Sequence, residues 1–463
     1  MHQKTSRGAT LFAVCTASFL MPFMLSGVGV ALPTIGRDMG ASAVQLSLLE
    51  TTYMVSVSIF LLTMGRLGDI YGRRRIFHYG IAAFALTGGL LSQAWSIEVM
   101  IGFRFLQGIG SAMIAATGTA IVVSVFPPEE RGKALGITVA AAYAGLSCGP
   151  FIAGFLISAF GWRSLFYLSV PLGVIIFALV SWKLSGEWAE AKGETFDWVG
   201  SMIYAFSIIL LITGAANLET GRHWSWWLLG MGVTGLGLFA AVENRLKYPV
   251  LNVHLLWDNR VFALSSLAAL LNYAATFGIT FFLSLYLQFV KGMSPQHAGT
   301  LLIIQPVVQT IVSPLSGRLS DRYPAARVAT VGMALCAAGL GVAATISADT
   351  SLSVLIAVFL FLGIGFAVFS SPNMSVIMGS VSLRHLGVAS GLVASMRSLG
   401  MMVSMTTITI LLSIFMQGHP VTRDTQPAFL MTMRSALICF CLLCLAGILC
   451  SLGRLRENPI RQN

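Results

Sequence analysis

Charge is what this sequence has least of. Only 10% of its 463 residues are Asp, Glu, Lys or Arg, against about 25% in ordinary soluble domains. So little charge cannot cover the surface of a water-soluble fold of this length. That excludes a secreted disulfide scaffold, a nucleic-acid-binding domain and a two-sheet β-fold. Cysteine is sparse as well, with seven in the chain. Cys441 and Cys444 have a Cys-x-x-Cys spacing but lie inside an apolar run with no histidine near them. They read as small apolar filler rather than a metal or redox pair. No Gly-x-x-x-x-Gly-Lys-Ser/Thr loop is present, which argues against an ATP-driven pump. No nucleophile–base constellation supports a membrane enzyme, and no cofactor or metal is expected.

What the chain does have is 56% apolar residues, gathered in runs of about 18–25, the length that crosses a bilayer as a helix. Lys4 and Arg7 ahead of an apolar stretch from Leu11 resemble a signal peptide, but the spans that follow favour a retained first helix. Fourteen spans are predicted, the first at 11–32 and the last at 428–452. Basic residues test that count. Arg104, Arg397 and Arg434 fall inside spans. Of the other Lys and Arg, twenty, among them Arg454, Arg456 and Arg461, fall on the side of both termini. Five, Arg37, Arg163, Arg222, Lys291 and Arg423, fall on the opposite side. The positive-inside rule therefore places both termini in the cytoplasm.

An internal repeat organises the spans. Gly65-Arg66-Leu67-Gly68-Asp69-Ile70-Tyr71 follows span two, and Gly317-Arg318-Leu319-Ser320-Asp321-Arg322-Tyr323 follows span ten, 252 residues later. The expected architecture is all-α: a six-helix bundle over residues 1–183, two inserted helices with connecting loops over 184–260, and a second six-helix bundle over 261–463. Parallel halves with a substrate site between them near the midplane are a transporter arrangement.

Three motifs carry chemistry. In Gly65-Arg66-Leu67-Gly68-Asp69-Ile70-Tyr71-Gly72-Arg73-Arg74-Arg75, turn glycines frame an acid and a basic cluster. It reads either as a positive-inside anchor or as a cytoplasmic gate in which Asp69 meets an arginine or a helix N-terminus. Within span four, Arg104 shares one helix face with Gln107 and Ser111. Arg104 either snorkels to the interface or lines a polar cavity. In span five, Ala141, Gly145, Gly149 and Ala153 recur every four residues beside Pro150, a pattern for close helix packing.

The first motif resembles the loop signature of the major facilitator superfamily, matching at every defining position, whereas the second copy has Pro324 in place of Gly72. Arg104-Phe105-Leu106-Gln107-Gly108 resembles the same superfamily's Arg-x-x-Gln-Gly motif. Gly145-x-x-x-Gly149-Pro150-x-x-Ala153-Gly154 is similar to the signature of its antiporters, with Ala153 in place of one glycine. The fourteen spans, Val30-Ala31-Leu32-Pro33, Trp162-Arg163-Ser164-Leu165-Phe166 and Phe196-Asp197-Trp198-Val199-Gly200 resemble the fourteen-span drug:proton antiporters. The resemblance implies export against protons. One departure stands out: the family's aspartate nine residues before the proline is Met24 here, so the role of that acid does not carry over.

Of seventeen acids, only Glu50, in span two, falls inside a span. Glu194, Asp197 and Glu243 are assigned to the side of the termini. A carboxyl within a span is costly and usually functional, so Glu50 is expected to carry proton coupling. The alternative is a neutral acid bonded to Thr51, Tyr53 or Arg104. Tyr53, Asn272, Tyr273, Phe277, Phe281, Gln288, Gln305, Phe366 and Asn373 are expected cavity liners, against lipid-facing or packing roles. The expected function is proton-coupled efflux of amphiphilic small molecules by a monomer in the bacterial inner membrane, whose partners are substrate, protons and lipid. Two rivals remain, a dedicated exporter or flippase for an endogenous lipid or anionic metabolite, and a transport-inactive receptor or scaffold.

Overall fold

A computed structural model describes residues 6–217, 224–251, 253–293, 295–416 and 425–456. Lys4, Arg222, Arg423 and Arg461, used above for sidedness, lie outside the described residues. Local sequence sets where the helices begin and stop. Ser6 caps α1 (Arg7–Met39) by accepting from Ala9 N at 3.4 Å. Ser42 and Gln45 form a capping box at the start of α2 (Ala43–Tyr71). Gly72 ends α2 with a φ of 113°, a backbone region that side chains disfavour, and α3 (Arg73–Ser92) begins at once. Ser96 caps α4 (Ile97–Val125) through Val99 N. Pro128 opens α5 (Pro128–Phe160) where no helical donor is needed, and Pro150 lies within it.

Then come α6 (Arg163–Lys183), α7 (Trp198–Ala216), α8 (Trp224–Glu243) and the short α9 (His254–Asp258). The next span is broken into α10 (Arg260–Thr276), α11 (Ile279–Leu285) and a π-helical turn over Tyr286–Val290. After it the chain forms α12 (Pro295–Leu302), α13 (Ile304–Arg322), α14 (Ala325–Ala343), α15 (Leu352–Gly379), α16 (Leu386–Met416) and α17 (Gln426–Gly453). No strand occurs among the described residues. Thirteen candidate spans there are long and apolar enough to cross a membrane. α3 is not among them, because Arg73, Arg74 and Arg75 fill its first turn and His78 and Tyr79 follow.

The chain forms two units. One comprises Met1–Ile209, Gly235–Val253 and Val381–Ser395, so the first turns of α16 belong to it. In this unit α1 packs along α5, α2 along α4, and α3 against α4 and α6. A methyl at Gly145 would overlap Phe19 O, and one at Gly149 would overlap Ser26 Oγ. Those two glycines let α1 and α5 approach so closely. Asp38, near the end of α1, accepts from Trp162 Nε1 at 3.0 Å and Arg163 Nη1 at 2.7 Å. These bonds, Trp162's first, hold its carboxyl below the usual range.

The other unit comprises Leu210–Thr234, His254–Ser380 and Met396–Asn463. Here α14 packs on α15 and α17, α13 on α15, and α10 on α17. Arg454, just past α17, is buried and donates to Asn373 Oδ1 at 2.5 Å, Ser451 Oγ at 2.7 Å and Ser265 Oγ at 2.8 Å. Burial pushes its guanidinium down to about 10.

Candidate functional site

Two constellations in the first unit gather the sequence-marked charged side chains of α2, α3 and α4. At the junction of α2 and α3, Asp69 is fully buried. It accepts from Arg73 Nε at 2.9 Å and Arg73 Nη2 at 2.6 Å. It also accepts from Gly387 N and Val388 N, each at 2.9 Å. The first amides of any helix lack partners within it and carry partial positive charge. Asp69 satisfies two of them at the start of α16, so the acid caps that helix from another part of the chain. Arg73 is also fully buried and donates to Ser124 Oγ at 3.0 Å and to Leu383 O. Gly65 completes the contact, since a methyl there would overlap Gly387 O. Arg74 donates from Nη2 to Val180 O and Ser181 O at the end of α6.

The loop between α6 and α7 clasps this junction. Arg73 N donates to Trp188 O and Ala191 N donates to Asp69 O, both at 3.0 Å. Glu194 is ion-paired with Arg66 of α2 and with Arg384 just before α16. Glu187 Oε1 accepts from Arg74 N at 3.1 Å. Burial lifts the Glu187 carboxyl above its usual range, against the opposing pull of the Arg74 and Arg75 amides and of the Arg75 and Arg74 charges. The sequence assigns Glu194 only to the side of the termini. The signal available was a short acidic stretch, Glu187, Glu190 and Glu194, in a chain otherwise poor in acids.

The second constellation lies nearer the start of α2. Glu50 is half-buried within electrostatic reach of Arg104, and a Cβ at Gly29 of α1 would lie 3.3 Å from Glu50 Oε1. Arg104 is fully buried, with its guanidinium 4.2 Å from the Tyr53 ring centroid. It donates from Nη1 to Gln107 Oε1 at 2.8 Å and from Nε to Leu49 O at 3.3 Å. Tyr53 Oη and Ser111 Oγ are 2.9 Å apart. Arg104 Nη2 and Gln107 Nε2 are buried donors without a hydrogen-bond acceptor among the described residues. Buried unsatisfied donors are costly, and one is the charged end of an arginine. The Met24 side chain is fully buried in α1.

The remaining marked residues are more scattered. Gly145 and Gly149 lie along the α1–α5 seam, Pro150 is exposed within α5, and a methyl at Gly154 would meet nothing within 4 Å. In the second unit, Tyr273 and Phe366 meet edge-to-face with centroids 5.1 Å apart. Asn272 is buried beside the Cys336 thiol. Gln305 is buried, Gln288 donates to Ser284 Oγ at 3.1 Å, and Phe281 stacks edge-on to Phe282. Phe277 is exposed. Asn373 is held at both ends, donating to Ser265 O at 3.0 Å and accepting from Arg454. Arg397 is half-buried in α16 and Arg434 exposed in α17.

Among the described residues, helices without strands, thirteen candidate spans and a buried acid–arginine junction at a glycine turn define a multi-pass membrane protein. The Major Facilitator Superfamily profile matches residues 14–405 and 265–462. The chain belongs to that superfamily. The riboflavin transporter RibZ of Clostridioides difficile is 30% identical over 391 residues, 84% of each chain. The tetracenomycin C resistance and export protein of Streptomyces glaucescens is 28% identical over 84% of this chain and 73% of its own. Among solved structures, the human organic anion transporter MFSD10 matches with a TM-score of 0.69 over 96% of this chain and 99% of that one. At 13% identity that likeness speaks to the fold alone.

Proposed function

We propose that this superfamily member is a fourteen-span, proton-coupled exporter of amphiphilic small molecules, working by alternating access as a monomer in a bacterial inner membrane. It needs no cofactor and no nucleic acid, and both termini are cytoplasmic. The observation that carries the reading is Glu50, a carboxyl within a span facing the buried Arg104. Acids within spans usually face a cavity and serve function. An ionised Glu50 draws Arg104 toward itself, and a proton on it removes that attraction. One inward proton across about 100 mV yields about 2.3 kcal/mol, enough to bias a transport cycle. The names of two similar proteins, one exporting tetracenomycin C and one a multidrug resistance protein of Mycobacterium tuberculosis, support an export reading. The Asp69–Arg73 junction then serves as the cytoplasmic gate, closed when the acid caps α16.

A second reading, a dedicated exporter of an anionic metabolite or lipid, is favoured by Arg104 Nη2 and Gln107 Nε2, two buried donors with no acceptor. An anionic group would satisfy both. Proteoliposomes carrying an internal pH dye, offered cationic and acidic amphiphiles in turn, separate the two readings. Substrate-dependent proton movement supports coupling under either. Pumping by Glu50→Gln when driven by a pH gradient would remove Glu50 from that role.

A further inference from the structure

The inserted helices carry an acid pair that the transport reading does not use. Glu243, the last residue of α8, is 1% exposed. Its Oε2 accepts from Leu251 N at 3.0 Å. Its Oε1 is buried and receives no hydrogen bond from any described residue. That oxygen is aimed at Asp197, the residue that caps α7. Asp197 Oδ1 and Oδ2 accept from Val199 N and Gly200 N, each at 3.0 Å. Glu243 Oε1 and Asp197 Oδ2 come together over Gly200, where an added methyl would overlap both. The two carboxyls lie within hydrogen-bonding reach, yet neither has a proton donor to offer the other.

Two ionised carboxylates in contact, Glu243 buried and Asp197 half-buried, repel each other, and a single proton between them turns the contact into a strong hydrogen bond. A charged group within electrostatic reach of Glu243 is Arg66 of α2, which also senses Asp69. It does not neutralise the pair, because its guanidinium is ion-paired with Glu194. We infer that Asp197 and Glu243 hold one proton between them, a protonation site that fastens the start of α7 to the end of α8. Loss of this proton leaves a second negative charge facing Arg66. That charge competes with Glu194 for the guanidinium and slackens the loop that clasps the α2–α3 junction. The site is separate from Glu50 and does not depend on Glu50 being the coupling acid.

The direct readout is the infrared carbonyl stretch of a protonated carboxyl, recorded on the purified full-length protein in lipid nanodiscs at neutral pH in D₂O. Wild type should show such a band, and Glu243→Gln should lose it. Asp197→Asn should lose it too, because the asparagine amide can donate to Glu243 Oε1 and makes the shared proton unnecessary. Glu50→Gln should leave this band in place, which separates the inference from the coupling assignment. A wild-type spectrum that neither Glu243→Gln nor Asp197→Asn changes would overturn it. So would a band that survives in a folded Glu243→Gln protein and disappears only in Glu50→Gln.

Discussion

Replacing Asp69 by Asn tests the α2–α3 junction where its energy is concentrated. The substitution keeps the size of the side chain and one carbonyl oxygen but removes the charge that four donors share, two from Arg73 and the amides of Gly387 and Val388. Arg73 stays fully buried without a counter-charge, and one α16 amide faces an NH₂ group instead of an oxygen. Breaking a buried ion pair by removing one partner costs about 3–5 kcal/mol. At about 1.4 kcal/mol per factor of ten, taking the lower bound, the contact at the start of α16 opens at least about 100-fold more often. Hydrogen exchange by mass spectrometry over residues 383–392 reads this directly, because local opening sets amide protection. Gly387 and Val388 should exchange at least about 100-fold faster, while peptides from α1 and α5 stay unchanged. Unaltered protection at these two amides in a well-folded Asp69→Asn protein would refute the capping argument.

Further outcomes follow from the same geometry. Gly145→Ala and Gly149→Ala force a methyl onto Phe19 O and Ser26 Oγ and should each destabilise by about 1–3 kcal/mol, read as a lower melting temperature in detergent. Gly154→Ala meets nothing within 4 Å and should stay within about 0.5 kcal/mol of wild type, although it belongs to the same motif. Glu194→Gln removes the charge shared by Arg66 and Arg384 and should speed proteolysis of the loop over residues 185–197 without altering membrane insertion. Reporters fused after Gly221 and Gly418, both outside the described residues, should read as external if the proposed fourteen-span topology holds, and a cytoplasmic signal at either would break it.

The spans were legible because about 30 Å of hydrocarbon demands long apolar runs, and α3 stands apart because three arginines share its first turn. The glycines of α5 were legible as a packing stripe. Periodicity alone cannot tell that Gly145 touches Phe19 while Gly154 touches nothing. The partner of Asp69 was readable only as a class, an arginine or a helix N-terminus. It is both, and the helix in question begins more than three hundred residues away. Acids were the hardest to place. Hydropathy puts Glu194 and Glu243 beside the membrane but says nothing of whether the fold buries them. Arg454 shows the same blindness. It counts as a loop charge in the sequence, yet it is buried against Ser265, Ser451 and Asn373.

Proton coupling is the central claim, and paired flux in proteoliposomes tests it most directly. Purified wild-type protein and Glu50→Gln would be reconstituted with a pH-sensitive dye inside. Each would then be given an outward substrate gradient from a panel of cationic and acidic amphiphiles, with no imposed pH difference. The account predicts that at least one substrate leaving wild-type vesicles drives protons inward, and that Glu50→Gln abolishes this proton movement while still binding the substrate. Substrate flux with no proton movement in wild type, or equal proton movement in both proteins, would contradict it.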